Sequence, residues 1–242
     1  MLGAVQEAQA AAAPEARGYR GAEDYPADEL QRGCTPAEST IFTDRPLGGA
    51  AKRAFDVLAA TALLIFVLPL LLLLAAAVCM ESSGPALYKQ ARGGFAGRTF
   101  RIWKLRTMRV CEGDQAVVQA RRVDPRVTPL GGFLRRTSLD ELPQLVNVLI
   151  GDMSIVGPRP HALRHDEEFA ALDPSYRQRR QARPGITGLA QISGCRGPTD
   201  CPERVLARTR YDIEYVRSWS FRRDLGILLR TALVIWDDPD AI

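Results

Sequence analysis

No basic cluster opens the chain, and Glu7 falls among its first residues, so the stretch from Met1 to Ala16 does not read as a secretory signal. Residues 1–45 are rich in Ala, Glu, Pro and Gly and lack sustained apolar periodicity, the pattern of a disordered N-terminal segment. Cysteine is sparse and badly spaced for cross-linking: five residues, at 34, 79, 111, 195 and 201, form an odd set with no framework. That excludes a disulfide scaffold and points to reduced thiols in a cytoplasmic setting. Cys195 and Cys201 lack the second pair a zinc site needs. Histidine is limited to His161 and His165, four apart, a spacing one helix face can offer to a metal. No glutamate stands between them in the metalloprotease arrangement, and both are expected on a solvated helix.

Charge is missing from one long stretch, the 24 residues from Val57 to Met80. As a straight helix it would be about 36 Å long against about 30 Å of hydrocarbon, so length permits a membrane span. Two features favour re-entry instead. Pro69 lies at the centre, where it removes the hydrogen bond to the Ile65 carbonyl and clashes with the preceding turn. Basic residues flank both ends, Lys52 and Arg53 before and Lys89, Arg92, Arg98, Arg101 and Lys104 after, and the positive-inside tendency holds both flanks on the cytoplasmic side. A helix kinked at Pro69, with limbs of about 18 Å, enters and leaves by one face of the lipid bilayer.

What is present outside this run is positive charge. Residues 1–50 hold four arginines against eight acidic residues, and the whole chain is +4, so the remainder carries +8. Residues 81–140 alone hold twelve Lys and Arg against five Asp and Glu. A basic surface directly after an apolar segment suits anionic head groups and phosphate substrates rather than nucleic acid. Short alternating patterns over residues 86–90 and 98–108 predict strands joined across Gly93-Gly94. Lys104 and Arg106, two apart, would share a strand face, either as a cationic pair for a diphosphate or as an ordinary solvated face.

Asp140 and Glu141 are adjacent carboxylates, with Arg135 and Arg136 just upstream and Pro143 just downstream. Proline is tolerated in a first helical turn and costs about 3 kcal/mol deeper in, so a helix is expected to start near Leu139 and to stop at Gly151. That places the acidic pair at the positive end of the helix, where carboxylates stay ionised and phosphates are attracted. Ser138 and Glu141 also match a capping box, which would make the pair no more than a helix cap. Against that stand Arg135, Arg136, Arg159 and Arg183, with Arg159 fixed between Pro158 and Pro160. Preorganised arginines are the usual clamp for phosphoryl groups, and a carboxylate can attack phosphorus to give an acyl phosphate.

Lys104–Met108 (KLRTM), Ser138–Gln144 (SLDELPQ), Gly151–Pro160 (GDMSIVGPRP) and Arg183–Gly188 (RPGITG) together resemble the bacterial sugar transferases, the monotopic phosphoglycosyl transferases. The resemblance runs from about Lys52 to Trp236 and is closest in form to the short exopolysaccharide-initiating type. It implies transfer of a sugar 1-phosphate from a UDP-sugar to undecaprenyl phosphate, with release of UMP, at the cytoplasmic face of the bacterial inner membrane. It further implies a ping-pong, Mg²⁺-dependent reaction with Asp140 as the phosphoglycosylated nucleophile and Glu141 as its partner in metal binding or proton handling. Lys104, Arg135 and Arg159 fall on phosphate-contacting positions. Downstream glycosyltransferases would be the partners that use the product. Leu68 precedes Pro69 where many members have serine, and Ala190 replaces a common tryptophan. No residue selects among glucose, galactose and an N-acetylated amino sugar.

The expected architecture is α/β, mainly helical with a small sheet: residues 1–45 disordered, residues 46–81 a re-entrant membrane helix, and residues 82–242 a cytoplasmic transferase domain. Residues 203–219 and 224–236 predict two C-terminal amphipathic helices, packed on the core or lying in the head-group layer with Trp219 and Trp236 at the interface. The rival reading from another class is a membrane-anchored regulator or scaffold that binds a nucleotide sugar without turnover.

Overall fold

The computed structural model describes residues 45–109, 124–197, 199 and 201–237. The expectations for residues 1–44, Cys34, Cys111 and the side chain of Trp236 lie outside the described residues. Cys79, Cys195 and Cys201 are free thiols.

The apolar run forms the core of helix α1 (Gly49–Glu81), 33 residues that stay helical through Pro69. Gly48, at φ 79°, turns the chain into it, and extended Ser82 ends it. Both ends of α1 are tied to the same body. At the N-terminal end, Lys52 Nζ lies 2.6 Å from Asp224 Oδ2, and both are buried. Arg53 donates to the Val148 and Leu149 carbonyls at 2.5 and 2.8 Å. Asp56 Oδ1 accepts from Ser154 Oγ at 3.0 Å and from the Ile155 amide at 3.1 Å. At the C-terminal end, Glu81 accepts from the Leu130 amide at 2.9 Å. Between these anchors Ile65, Phe66, Leu72 and Leu73 face outward, Phe66 with 82% of its surface exposed.

Strands β1 (Leu87–Gly93) and β2 (Thr99–Leu105) form the predicted antiparallel hairpin, in register from Leu87↔Leu105 to Gly93↔Thr99. The period of two puts Phe100 and Ile102 into the core and Lys104 on the same side. Helix α2 (Pro129–Arg136) starts at Thr128, whose hydroxyl accepts from the Gly131 amide at 2.9 Å, with Pro129 in the first turn where a missing N–H is harmless. A 3₁₀ turn (Leu139–Glu141) leads into α3 (Gln144–Ile150), which stops at Gly151 with φ 99°. Strand β3 (Ser154–Val156) pairs in parallel with β4 (Gly185–Thr187). Helix α4 (Leu163–Leu172) and a 3₁₀ stretch (Pro174–Gln181) lie between them, and α5 (Leu189–Ile192), α6 (Pro202–Arg217) and α7 (Phe221–Asp237) follow. The architecture is therefore mainly helical, with two small two-stranded sheets.

The main core gathers Phe100, Ile102, Leu145, Val148, Met153, Val156, Tyr215 and Ile227 around Ala60 of α1. A second cluster packs Leu105 and Leu134 against Leu74 and Val78, further along the same helix. On α7, Asp224 and Ile227 point inward while Phe221, Leu225, Leu229 and Leu233, four apart, are exposed. One side of this helix therefore packs on the core, and the other presents an exposed apolar stripe. Trp219 packs against the main core and donates its indole N–H to Asp224 at 3.1 Å.

Candidate active site

The acidic pair opens a short 3₁₀ helix rather than the α-helix itself. Asp140 and Glu141 sit in the separate 3₁₀ turn, and Pro143 is the residue that caps α3. The expected capping box is also absent. Ser138 adopts φ 54°, a left-handed backbone unlike the extended one from which a capping hydroxyl reaches the next turn, and makes no cap bond. Its hydroxyl instead accepts from Arg196 at 2.5 Å. Strain of this kind at a non-glycine residue persists only where the surroundings hold it.

Lys104, on the core side of β2, faces the pair, with Nζ 2.7 Å from Glu141 Oε1 and 3.7 Å from Asp140 Oδ2. Arg159 grips Glu141 with both guanidinium nitrogens, NH1 at 3.1 Å from Oε2 and NH2 at 2.6 Å from Oε1. The two carboxylates are therefore electrostatically different. Burial pushes Asp140 above the ordinary carboxylate range, and the charge of Glu141 adds to that, while Lys104, Arg135 and Arg159 oppose it. Burial acts on Glu141 too, but Arg159 and Lys104 outweigh it and hold this carboxyl well below the usual range. The fork on Glu141 is a bidentate charge-assisted contact, the geometry guanidinium groups make best. Glu141 is a fixed anion; Asp140 is a desolvated one with a looser partner, which is the state that favours a nucleophile.

The loop carrying Arg159 is held by backbone. The Gly157 amide donates to the Thr187 carbonyl and the Gly185 amide to the Pro158 carbonyl, both at 2.9 Å. A Cβ on Gly157 would lie 2.3 Å from the Arg183 carbonyl, and one on Gly185 would lie 2.1 Å from the Gly157 amide. Glycine at both positions is what lets the two loop motifs touch. Beneath the loop, Arg179 donates to the Arg159 carbonyl and is itself bound to Asp212 Oδ2, at 2.9 and 2.6 Å.

The predicted cations part company. Arg135 Nε donates to Thr107 Oγ1 at 2.9 Å, and its charge reaches Asp140. Arg136 is exposed at the end of α2. Arg183 lies beside Arg53 and Asp56 near the start of α1, and burial followed by the Arg53 charge lowers its pKa. Pro158 and Pro160 are buried to either side of Arg159. Arg106 does not share a face with Lys104. Strand β2 ends at Leu105, and the buried Arg106 guanidinium turns to the last carbonyls of α1, Val78 at 3.3 Å and Ser82 at 2.7 Å, with a further bond to Ser83. It closes a helix end, where orphan carbonyls need donors.

His161 is buried rather than solvated. Its Nδ1 lies 2.5 Å from the Tyr176 hydroxyl and its Nε2 lies 3.3 Å from Arg208, so both ring nitrogens are engaged. Burial, then the charges of Arg179 and Arg208, holds its pKa well below the usual value, so the ring is neutral. Two groups went unnoticed in the sequence. Arg92 and Gln144 join Ile102, Lys104, Glu141, Arg159 and Pro160 around a cleft of about 40 Å³. Arg92 was visible only as part of a basic flank, and nothing in sequence singled out Gln144 within its motif.

Among the described residues no three His, Cys, Asp or Glu side chains gather as a metal cage. Magnesium needs none when one or two carboxylates and substrate phosphates complete its shell, and Asp140, whose ion pair among the described residues is with Lys104 at 3.7 Å, leaves acceptor capacity for it.

A desolvated carboxylate beside a clamped one, with a cationic cleft and a long exposed apolar helix in the same fold, is an arrangement able to receive a phosphate at a membrane surface. The chain belongs to the bacterial sugar transferases, whose family model matches residues 47–238. It is 55% identical over 180 residues to a UDP-glucose:undecaprenyl-phosphate glucose-1-phosphate transferase of Caulobacter vibrioides, covering 74% of this chain and 67% of that one. It is 49% identical over 191 residues to a protein of the same name in Escherichia coli, covering 78% of this chain but 41% of the relative, so it spans about two fifths of that longer protein. It is 44% identical to the exopolysaccharide production protein PSS of Rhizobium leguminosarum bv. phaseoli, covering 75% of this chain and 93% of that one.

Proposed function

We propose that the protein transfers a sugar 1-phosphate from a UDP-sugar to undecaprenyl phosphate, releasing UMP, by way of a covalent phosphosugar on Asp140. The observation that carries this reading is the unequal carboxylate pair, Glu141 pinned by Lys104 and Arg159 and Asp140 desolvated beside it. In the first step an Asp140 oxygen attacks the phosphorus bearing the sugar, and the bond to the bridging oxygen breaks, leaving UMP with the electron pair. In the second step an oxygen of the lipid phosphate attacks the same phosphorus and returns the carboxylate. Lys104 and Arg159 hold phosphate oxygens and spread their charge; Glu141 holds those two cations in place. Bound magnesium would supply neutralisation between the diphosphate and the attacking carboxylate, with Asp140 and Glu141 as its protein ligands.

The names of the relatives make UDP-glucose the donor to test first. The working place is the cytoplasmic face of the bacterial inner membrane, with α1 entering and leaving by that face. The anchoring of both α1 ends to one body supports re-entry, and the outward Leu225, Leu229 and Leu233 support α7 lying in the head-group layer. Glycosyltransferases that extend a lipid-linked sugar would consume the product, as the first membrane step of an exopolysaccharide or capsule. Purified protein given UDP-glucose, undecaprenyl phosphate and Mg²⁺ should release UMP, and Asp140→Asn should release none; normal turnover by that variant would remove Asp140 as nucleophile.

A further inference from the structure

The cleft beside Glu141 is built for an anion that the protein itself does not provide. Three of its lining side chains, Arg92, Lys104 and Arg159, are cationic, and only Glu141 is acidic. Lys104 and Arg159 already share Glu141. Arg92 has its side-chain NH2 on the neutral Gln90 amide at 2.6 Å, while its buried Nε has no hydrogen-bond partner among the described residues. Gln144 is 2% exposed, and its side-chain nitrogen is also buried without a partner. Burial and the neighbouring Arg159 charge bring the Arg92 pKa down to about 10, the mark of a cation held without enough negative charge near it. Buried donors are normally paired, so two orphan donors on side chains that line one polar cleft, with surplus positive charge around them, mark a missing acceptor.

We propose that Arg92 and Gln144, with Lys104 and Arg159, form a subsite for the phosphate that changes places in the reaction: the nucleoside monophosphate as it leaves and the lipid phosphate as it attacks. The assignment rests on the two-step reading above. In a displacement at one phosphorus through a covalent carboxylate, the carboxylate oxygen holds one apical position. The departing oxygen leaves from the opposite apex, and the incoming oxygen must approach that same apex. In the first step the Asp140 oxygen–phosphorus bond forms and the bridging phosphorus–oxygen bond breaks, its electron pair going to the nucleoside monophosphate. In the second, the lipid phosphate oxygen–phosphorus bond forms, and the pair of the broken bond returns to Asp140. Leaving group and nucleophile are both phosphates and occupy the same apex in turn, so one cationic pocket serves both. Gln144, being neutral, adds donors without adding to the repulsion between Arg92 and Arg159.

The test uses the full chain in lipid nanodiscs and an Asp140→Asn background, so that binding is read without turnover. UMP is titrated, then displaced with undecaprenyl phosphate. Arg92→Gln should weaken UMP and undecaprenyl phosphate alike, by about tenfold to a hundredfold, the effect of losing a charge-assisted contact. Gln144→Glu keeps the side-chain size and puts a carboxylate in the cleft, and should weaken both by a similar factor. Arg92→Lys, which keeps the charge, should restore part of the affinity, and Arg164→Ala on the exposed face of α4 should change neither. In the turnover-competent protein, Arg92→Gln should raise the KM for both substrates in parallel. Unchanged UMP affinity in both cleft variants overturns the subsite. Simultaneous binding of UMP and undecaprenyl phosphate, or loss of only one of them, overturns the shared apex. Turnover by the Asp140→Asn parent would instead refute the nucleophile while leaving the UMP result to stand.

Discussion

Asp140 and Glu141 are neighbours in sequence with opposite electrostatic fates, and pH should separate them. For Asp140 the folded-state pKa is raised, so its protonated form is the one folding favours, and the stability this gives is lost as pH rises through the folded pKa. At neutral pH its charge is a burden on the fold. Asp140→Asn should therefore abolish UMP release yet melt at an equal or higher temperature than wild type at neutral pH, the difference shrinking toward the acid side; thermal melts across the pH range read this directly. Glu141 has a depressed folded pKa, so its contribution is present above the unfolded carboxylate range and is lost only in strong acid. Glu141→Gln leaves Lys104 and Arg159 without their anion and should cost about 1–3 kcal/mol in denaturant titration, together with activity. The sequence brought Asp140, Glu141, Lys104 and Arg159 together correctly because dense motifs carry them. It placed Arg183 in the same group only by its charge, and it overlooked Arg92, whose burial is a product of the fold.

Arg106 shows how a local rule fails at the end of an element. Two-residue alternation put it beside Lys104, but Leu105, Arg106 and Thr107 are buried in succession, so the pleat has ended and the side chain is free to turn to α1. Arg106→Ala should expose the Val78, Ser82 and Ser83 carbonyls at the end of α1 and lower stability by about 2–3 kcal/mol. Lys104→Ala, by contrast, should remove most activity for a smaller loss of stability; comparing melts and UMP release for the two variants separates helix closure from catalysis. The hairpin, the Gly151 stop and the α7 stripe were legible because each has a strong local signal. The 3₁₀ turn at Asp140 was not, since left-handed Ser138 is held by Arg196, 58 residues away. Pro69 sits within one helical segment, and Ile65, whose carbonyl loses its donor there, is exposed.

How α1 meets the membrane turns on what ties its two ends. Pro69 leaves the Ile65 carbonyl without its helical donor whether α1 re-enters or spans, so that penalty of several kcal/mol in hydrocarbon does not discriminate the two. A span would put the two ends of α1 on opposite sides of the bilayer and would have to strip one of them from the body. Stripping the N-terminal end breaks the buried Lys52–Asp224 pair and the bonds of Arg53 and Asp56. Stripping the C-terminal end breaks the bonds of Arg106 and Glu81. Uncoupling the buried pair at the N-terminal end alone costs about 3–5 kcal/mol, and at the C-terminal end a span would break several hydrogen bonds, which favours the proposed re-entry. Single cysteines placed at Arg45 and Phe95, in a chain whose native cysteines are replaced, should then both react with a membrane-impermeant thiol reagent from the cytoplasmic side of inverted vesicles. Labelling of the two positions from opposite sides would mean that α1 spans. Weakening the anchor tests the same balance from the other direction: Lys52→Met together with Asp224→Leu removes the buried charges as a matched pair, which is often close to neutral for stability. The double variant should keep both cysteines on one side, whereas Lys52→Met alone, leaving Asp224 buried and unpaired, should lower the yield of folded, membrane-bound protein.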